Sequence, residues 1–196
     1  MDLTKTETIQ KMPDTNDFNK QIEIISRLFS NEHLRKEYLA LVVKNLKVWV
    51  GCECVGIRVI NEIGVMPYEA FVGFTYEFWE QENLLSLKEH QCGCTRVVTG
   101  SPVSLDLPIM TPNGSLWTND LQGFGKTIPA ECYNLYRGKC IETGYCSLAV
   151  IPIKYENKVI AVIHLADRFK DKLPLDKIST IESVSGIIGE NLARFS

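Results

Sequence analysis

Ser147-Leu-Ala-Val-Ile-Pro-Ile-Lys-Tyr155 and, across Glu156–Asn157, Lys158-Val-Ile-Ala-Val-Ile-His-Leu-Ala166 form the stretch on which the fold turns. Two β-rich runs joined by a two-residue connection predict an antiparallel hairpin at the heart of a sheet. Downstream, beyond Pro174, Ile178, Ile181, Val184, Ile188 and Leu192 recur at helical spacing, which predicts an amphipathic helix running to the end of the chain. Upstream, Cys54–Ile60 alternates Val55, Ile57 and Val59 against Gly56 and Arg58, and Tyr68–Phe74 follows a turn at Gly64 and Pro67. Both segments predict strands. Thr75 is placed to cap a short helix reaching about Leu85.

Further toward the N-terminus the pattern is helical from Phe18, through Ile22, Ile25, Leu28 and Phe29. It breaks near Ser30–Asn31 and resumes through Leu34, Tyr38, Val42, Leu46 and Trp49, with Asn31 as the expected N-cap and Glu32 in the first turn. Residues 1–17 are polar and read as a frayed arm before a single domain over 18–196. Residues 86–129 carry scattered Gly and Pro and predict an irregular excursion with brief strands at most. A helix is expected from Pro129 to Gly138. Helices from both termini would pack on one face of an antiparallel sheet, leaving the other face to the excursion and a pocket. The fold class is therefore α/β, in the α+β sense.

Bulk composition narrows the function. A chain of 196 residues, 45% hydrophobic, suffices for one domain with a full core. Lys and Arg total 21 against 24 Asp and Glu, a net charge of −3, which argues against nucleic acid as the main partner. Leu39–Val50 is interrupted by Lys44 and Lys47, so no membrane span is expected, and residues 1–20 lack a secretory core. These features predict a cytoplasmic protein. Seven cysteines, an odd number beside a large core, point away from a disulfide framework and toward metal ligands, redox groups or packing.

His90, Cys92 and Cys94 are spaced by two, so an extended backbone would turn all three to one side. Cys140 follows a helix end and leads toward the hairpin. With His90 or Cys146 as a fourth group, Cys92, Cys94 and Cys140 have the chemistry of a tetrahedral zinc or iron–sulfur site. A thiol–disulfide site is the second reading and buried packing the third. Cys52, Cys54 and Cys132 read as packing. The pairs Glu80/Glu82 and Asp167/Asp171 read as solvated surface, and no serine-nucleophile or phosphate-cradling motif is present.

Four motifs occur in order: Gln91-Cys92-Gly93-Cys94, Gly114-Ser115-Leu116-Trp117-Thr118-Asn119, Arg137-Gly138-Lys139-Cys140 and Gly144-Tyr145-Cys146-Ser147. With the hairpin from Ala149 to Asp167, they resemble the GAF domain family over residues 20–195, in particular the branch whose middle loop carries paired cysteines. His164 stands where that family commonly has an amide or small residue, and Cys146 where it has an acidic or amide one. The resemblance implies a sensory domain, not an enzyme, that binds a small ligand or metal-bearing cofactor and signals to a separate partner, such as a histidine kinase or transcription regulator. It also implies a homodimer through the terminal helices. Trp117, Asn119 and Tyr145 would line the pocket, and His164 would either ligate haem iron or be a satisfied core histidine. The alternative it implies is a cysteine-dependent enzyme like the free methionine sulfoxide reductases, which share the fold.

Overall fold

The computed structural model describes residues 14–28 and 34–195. The expected cap at Asn31 and most of the N-terminal arm lie outside the described residues. Helix α1 (Thr15–Leu28) begins three residues before Phe18, because the Asp14 carboxylate accepts the Asp17 N–H at 2.8 Å and supplies a cap. Helix α2 (Arg35–Val50) ends at Gly51. Strands β1 (Cys54–Val59), β2 (Val65–Met66) and β3 (Tyr68–Val72) follow. The Thr75 hydroxyl caps α3 (Tyr76–Glu82) by accepting the Phe78 N–H. That helix stops short of Leu85 because β4 (Leu85–Ser86) pairs with β2 in a small second sheet.

The hairpin forms as the sequence predicts. Strands β6 (Ser147–Tyr155) and β7 (Lys158–Asp167) pair antiparallel, with Val150 opposite His164 and Ile151 opposite Ile163. Glu156 and Asn157 both take positive φ, 47° and 65°, the backbone of a two-residue turn that matches strand twist. The five-stranded sheet has the order β3-β1-β7-β6-β5, with every pairing antiparallel. Helices α1, α2 and α7 (Leu175–Arg194) cover one face, where Ile57, Ala149, Ile151, Ile163 and Leu165 join the main core. The α7 stripe is spent inside the chain: Ile178, Ile181, Val184, Ile188 and Leu192 are all buried in that core. It therefore gives no separate argument for the expected homodimer.

The excursion is more ordered than its composition implies. It contains α4 (Gly93–Thr99), the edge strand β5 (Leu116–Thr118) of the main sheet and α5 (Leu121–Thr127), and its helices lie against the second face of the sheet. The helix expected from Pro129 to Gly138 is instead a 3₁₀ segment, Ala130–Leu135, and Gly138 at φ +75° precedes a one-turn helix α6 (Lys139–Glu142). An internal ion pair braces this cover. The Arg96 guanidinium donates from Nε and Nη2 to the two Asp106 oxygens and from Nη1 to the Leu135 carbonyl. The Tyr136 hydroxyl donates to the same carboxylate at 2.9 Å. Short Gly- and Pro-broken pieces hide such a brace from periodicity, because both ion-pair partners are polar and lie ten residues apart on separate pieces.

Helix α7 lies so close to β6 that a Cβ at Gly189 would stand 2.2 Å from the Lys154 carbonyl oxygen, whereas one at Gly186 meets nothing within 4 Å. Gly189→Ala should therefore destabilise the protein by about 1–3 kcal/mol. Gly186→Ala in the same helix should stabilise it by about 0.5–1 kcal/mol. Urea denaturation of the two variants beside the parent checks both signs.

Candidate functional site

Along β1 the expected alternation is present, yet all six residues are buried. Val55 and Ile57 join the helix-side core, while Cys54 packs on the other side with Tyr68, Tyr145 and Ala166. Arg58, the one charge in the strand, is 0% exposed. Gly56 makes room for an aromatic neighbour, since a Cβ there would stand 2.6 Å from Tyr68 Cε1. The Tyr68 hydroxyl thus stands 2.6 Å from His164 Nδ1, and the Arg58 guanidinium lies over the Tyr68 ring at 3.7 Å. When that hydroxyl donates, the imidazole proton sits on Nε2, which faces Cys140 Sγ at 4.0 Å.

Glu82, expected at the surface, is 4% exposed. Its Oε1 accepts from Arg137 Nε at 2.9 Å, and its Oε2 stands 4.0 Å from Arg58 Nη2. Asp167 is likewise buried, accepting the Glu53 N–H at 2.9 Å and the Phe169 N–H at 2.8 Å. Tyr68, Arg58, Glu82 and Arg137 escape sequence reasoning because each looks like an ordinary strand or surface residue. The one available signal is Arg58, the lone charge within an otherwise apolar β run.

Beneath the cover lies an apolar cavity of about 50 Å³. Its walls include Cys92, Cys94 and Cys140 together with Glu82, Arg137 and Leu116. At roughly 10–15 Å³ per water, that space takes a handful of waters. Cys92 is the N-cap of α4 with extended φ and ψ, and Cys94 lies within the helix. The uniform extended backbone that would align His90, Cys92 and Cys94 is therefore broken after Cys92. The neighbouring Cys94 thiol holds the Cys92 pKa below the usual thiol range. The backbone N–H groups of Cys94 and Arg137 add to this, against burial and the Glu82 charge. Cys94 is in turn pushed upward by Cys92 and by burial. Burial also raises Cys140, and the charges of Cys92 and Glu82 raise it further.

The other expected site residues lie elsewhere. His90 Nδ1 accepts the Ser86 N–H at 2.9 Å. The Cys146 thiol turns to the Gly144 carbonyl on the exposed side. Trp117 Nε1 and Asn119 Nδ2 both donate to the Leu173 carbonyl, and Asn119 Oδ1 accepts the Leu173 N–H, so both residues fasten the segment ahead of α7 and do not line the cavity. Tyr145 is fully buried among Phe74 and Phe78, its hydroxyl 3.5 Å from Cys54 Sγ. The structure thus gathers Cys92, Cys94 and Cys140, with His164 behind Cys140. Cys52 and Cys54 behave as packing, with burial raising them to about 12 and about 11. Cys132 lies in the 3₁₀ segment, not in an α-helix.

Among the described residues no group of three His, Cys, Asp or Glu side chains is arranged to hold a metal ion. Haem does not fit either. Both His164 nitrogens already face Tyr68 and Cys140, so neither is open to an iron atom. All seven cysteines are free. No helix among the described residues is long and apolar enough to cross a membrane.

No family model matches the sequence, and no curated protein matches it. Solved structures do. The free methionine-R-sulfoxide reductase of Neisseria meningitidis, solved with its substrate, superimposes with a TM-score of 0.67 at 12% identity, over 92% of this chain and 89% of that one. The GAF domain of an Acinetobacter phosphoenolpyruvate-protein phosphotransferase gives 0.64 at 13% identity, over 93% and 95%. A domain of a sensor histidine kinase protein from Sinorhizobium meliloti gives 0.57 at 12%, over 81% and 90%. The chain has a GAF-like fold, with a central antiparallel sheet and flanking helices.

Burial pushes the His164 pKa down to about 3 from an ordinary 6.5, and the Arg58 charge adds to this. The unfolded chain therefore binds a proton near pH 6.5 that the folded protein refuses until about pH 3. Stability from this group is full above pH 6.5 and falls as the pH drops through that window, by on the order of 5 kcal/mol over its whole width. His164→Gln should flatten the acid limb of a stability-against-pH curve measured by urea denaturation. An unchanged slope between pH 6.5 and 4 would show that His164 is not the group responsible.

Proposed function

We propose that the protein is a cytoplasmic GAF-type module whose cavity works by reversible thiol chemistry on a small oxidant. The observation that carries this reading is Cys92: a thiol favoured as thiolate by its Cys94 and backbone partners, sharing one cavity wall with Cys140. A thiolate there is both the nucleophile and the acceptor of oxygen. With a sulfoxide or hydroperoxide, the Cys92 sulfur gains the oxygen and becomes a sulfenic acid. The oxidant's S–O or O–O bond breaks: a sulfoxide leaves as the thioether while a solvent proton goes to the sulfenic oxygen, and a hydroperoxide's alkoxide or hydroxide leaves with a proton from solvent. Cys140 then attacks the Cys92 sulfur, an S–S bond forms, and the hydroxyl leaves as water with the Cys140 proton. An external dithiol returns the pair to the reduced state by supplying two electrons and two protons.

The likeness to free methionine-R-sulfoxide reductases supports the enzymatic form of this reading, in which the disulfide cycles with turnover. The likeness to GAF regions of sensor and phosphotransferase proteins supports the sensory form, in which the oxidised cover presents a changed surface to a separate signalling partner such as a histidine kinase. Metal held by Cys92, Cys94 and Cys140 is the competing use of the same thiols and requires the three to rearrange around an ion.

Peptide mass mapping after mild treatment with hydrogen peroxide or free methionine-R-sulfoxide should find a Cys92–Cys140 disulfide, reversed by dithiothreitol. Cys92→Ser and Cys140→Ser should each abolish it, while Cys132→Ser leaves it intact. Repeated turnover of the sulfoxide with dithiothreitol identifies the enzyme; a single stoichiometric oxidation identifies the sensor. The thiol reading fails if no disulfide forms, or if elemental analysis of protein purified without air finds stoichiometric zinc or iron lost on Cys92→Ser.

A further inference from the structure

Arg58 is the most unusual charge in the molecule. Its side chain is 0% exposed, and only Nη1 is satisfied, donating to the Met66 carbonyl at 3.0 Å and the Asn83 carbonyl at 3.4 Å. Nε and Nη2 have no hydrogen-bond partner among the described residues. Glu82 is the nearest carboxylate, but at 4.0 Å from Nη2 it is too far for a hydrogen bond, and its other oxygen is taken by Arg137. One carboxylate thus stands between two guanidiniums; Glu82 and Arg137 line the cavity, while Arg58 is not on the wall and borders it through Glu82. Lys139, also on the wall, turns its ammonium outward to Glu142 at 2.6 Å. Among the described residues no second carboxylate lines the cavity.

The counts of charge then constrain the ligand. Two guanidiniums, Arg58 and Arg137, share the one carboxylate of Glu82. One positive charge is thus left without a counter-charge next to an apolar space, an expensive state. A ligand that carries its own anion removes the imbalance as it binds. Two free N–H groups on one planar guanidinium are suited to a carboxylate, which accepts two parallel hydrogen bonds.

We propose that Arg58 and Arg137 form an anion subsite beside the pocket thiols, so that the cavity selects small molecules bearing a carboxylate, with Glu82 yielding Arg58 to the incoming group. This rests on the thiol reading only in taking the same cavity as the reactive one. Its test is therefore built on alkylation, which needs no redox cycle: the Cys92 sulfur displaces iodide from either iodoacetate or iodoacetamide, forming an S–C bond as the C–I bond breaks.

The rate ratio of iodoacetate to iodoacetamide at Cys92 is read by peptide mass mapping in the native protein and in the same chain unfolded in urea, which serves as the reference without a site. Electrostatic focusing in a cleft changes encounter by about tenfold or more. The native ratio should exceed the unfolded one by about that factor. Arg58→Gln and Arg137→Gln should each bring it back toward the unfolded value. If Arg58→Gln fails to fold, Arg137→Gln and the native-to-unfolded comparison still decide. A native ratio equal to the unfolded one, or folded variants that both keep the parent ratio, overturns the subsite. So does a native protein in which neither reagent reaches Cys92. Protein that keeps the selectivity but never forms a reversible disulfide retains the subsite and loses the redox reading.

Discussion

The β6–β7 hairpin is buried on both faces, and the rest of the molecule answers to that constraint. Every residue from Ser147 to Ile153 and from Ala161 to Asp167 is buried. Ala149, Ile151, Ile153, Ala161, Ile163 and Leu165 meet the helices, whereas Leu148, Val150, Val162 and Ala166 meet the cover. Each large aliphatic side chain withdrawn from water contributes roughly 1.5–3 kcal/mol. An open second face would forfeit several such contributions. The excursion is therefore structural before it is functional, and the cavity is the place where a cover made of short pieces does not close completely on the sheet.

Burial of that second face also explains its electrostatics. Arg58 and His164 sit on strands whose geometry turns their side chains inward, so each must be neutral or partnered. His164 stays neutral and shares a short contact with Tyr68, while Arg58 stacks on the same Tyr68 ring and leans on Glu82. Glu82 in turn holds Arg137, which begins the turn carrying Cys140. One connected set of polar groups thus runs from β1 and β3 through the end of α3 to the thiols. Removing its single carboxylate would leave two guanidiniums without that counter-charge, Arg58 fully buried and Arg137 in the cavity wall. That makes Glu82 a joint element of the fold and of the cavity, although its sequence position reads as solvated helix.

What was legible in the sequence was what periodicity and turn chemistry encode. The hairpin, its Glu156–Asn157 turn, the α7 stripe and the Thr75 cap all rest on local signals, and all formed where expected. The thiol grouping was legible in part. Cys92, Cys94 and Cys140 do meet, but through the start of a helix and a one-turn helix, not along an extended strand. Trp117 and Asn119 are legible as a pair with a task, but not in direction: a three-residue strand that ends before Asn119 offers no pattern by which to tell its two faces. Arg58, Glu82 and Arg137 could not be recognised as a set, since their association depends on pairing across long sequence separations.

Strand β5 shows how closely the cavity and the helical layer are connected. Leu116 points into the cavity, where its Cδ1 would stand 2.6 Å from a Cβ placed on Gly93 beside Cys92 and Cys94. Its neighbours on either side point the other way. The hydroxyls of Thr111 and Ser115 donate to Glu182 Oε1 and the Asn113 amide to Oε2, all on α7. Trp117 and Asn119 grip Leu173 just ahead of that helix. A strand of three residues cannot shift Leu116 without carrying Ser115 and Trp117, because successive side chains share one rigid pleat. Packed interiors resist such displacement until they exchange one arrangement for another. A chemical change at the thiols that needs more room under Leu116 must therefore be accommodated either by opening the cover between α4 and the sheet or by loosening the five hydrogen bonds that these residues make to Glu182 and to the Leu173 carbonyl.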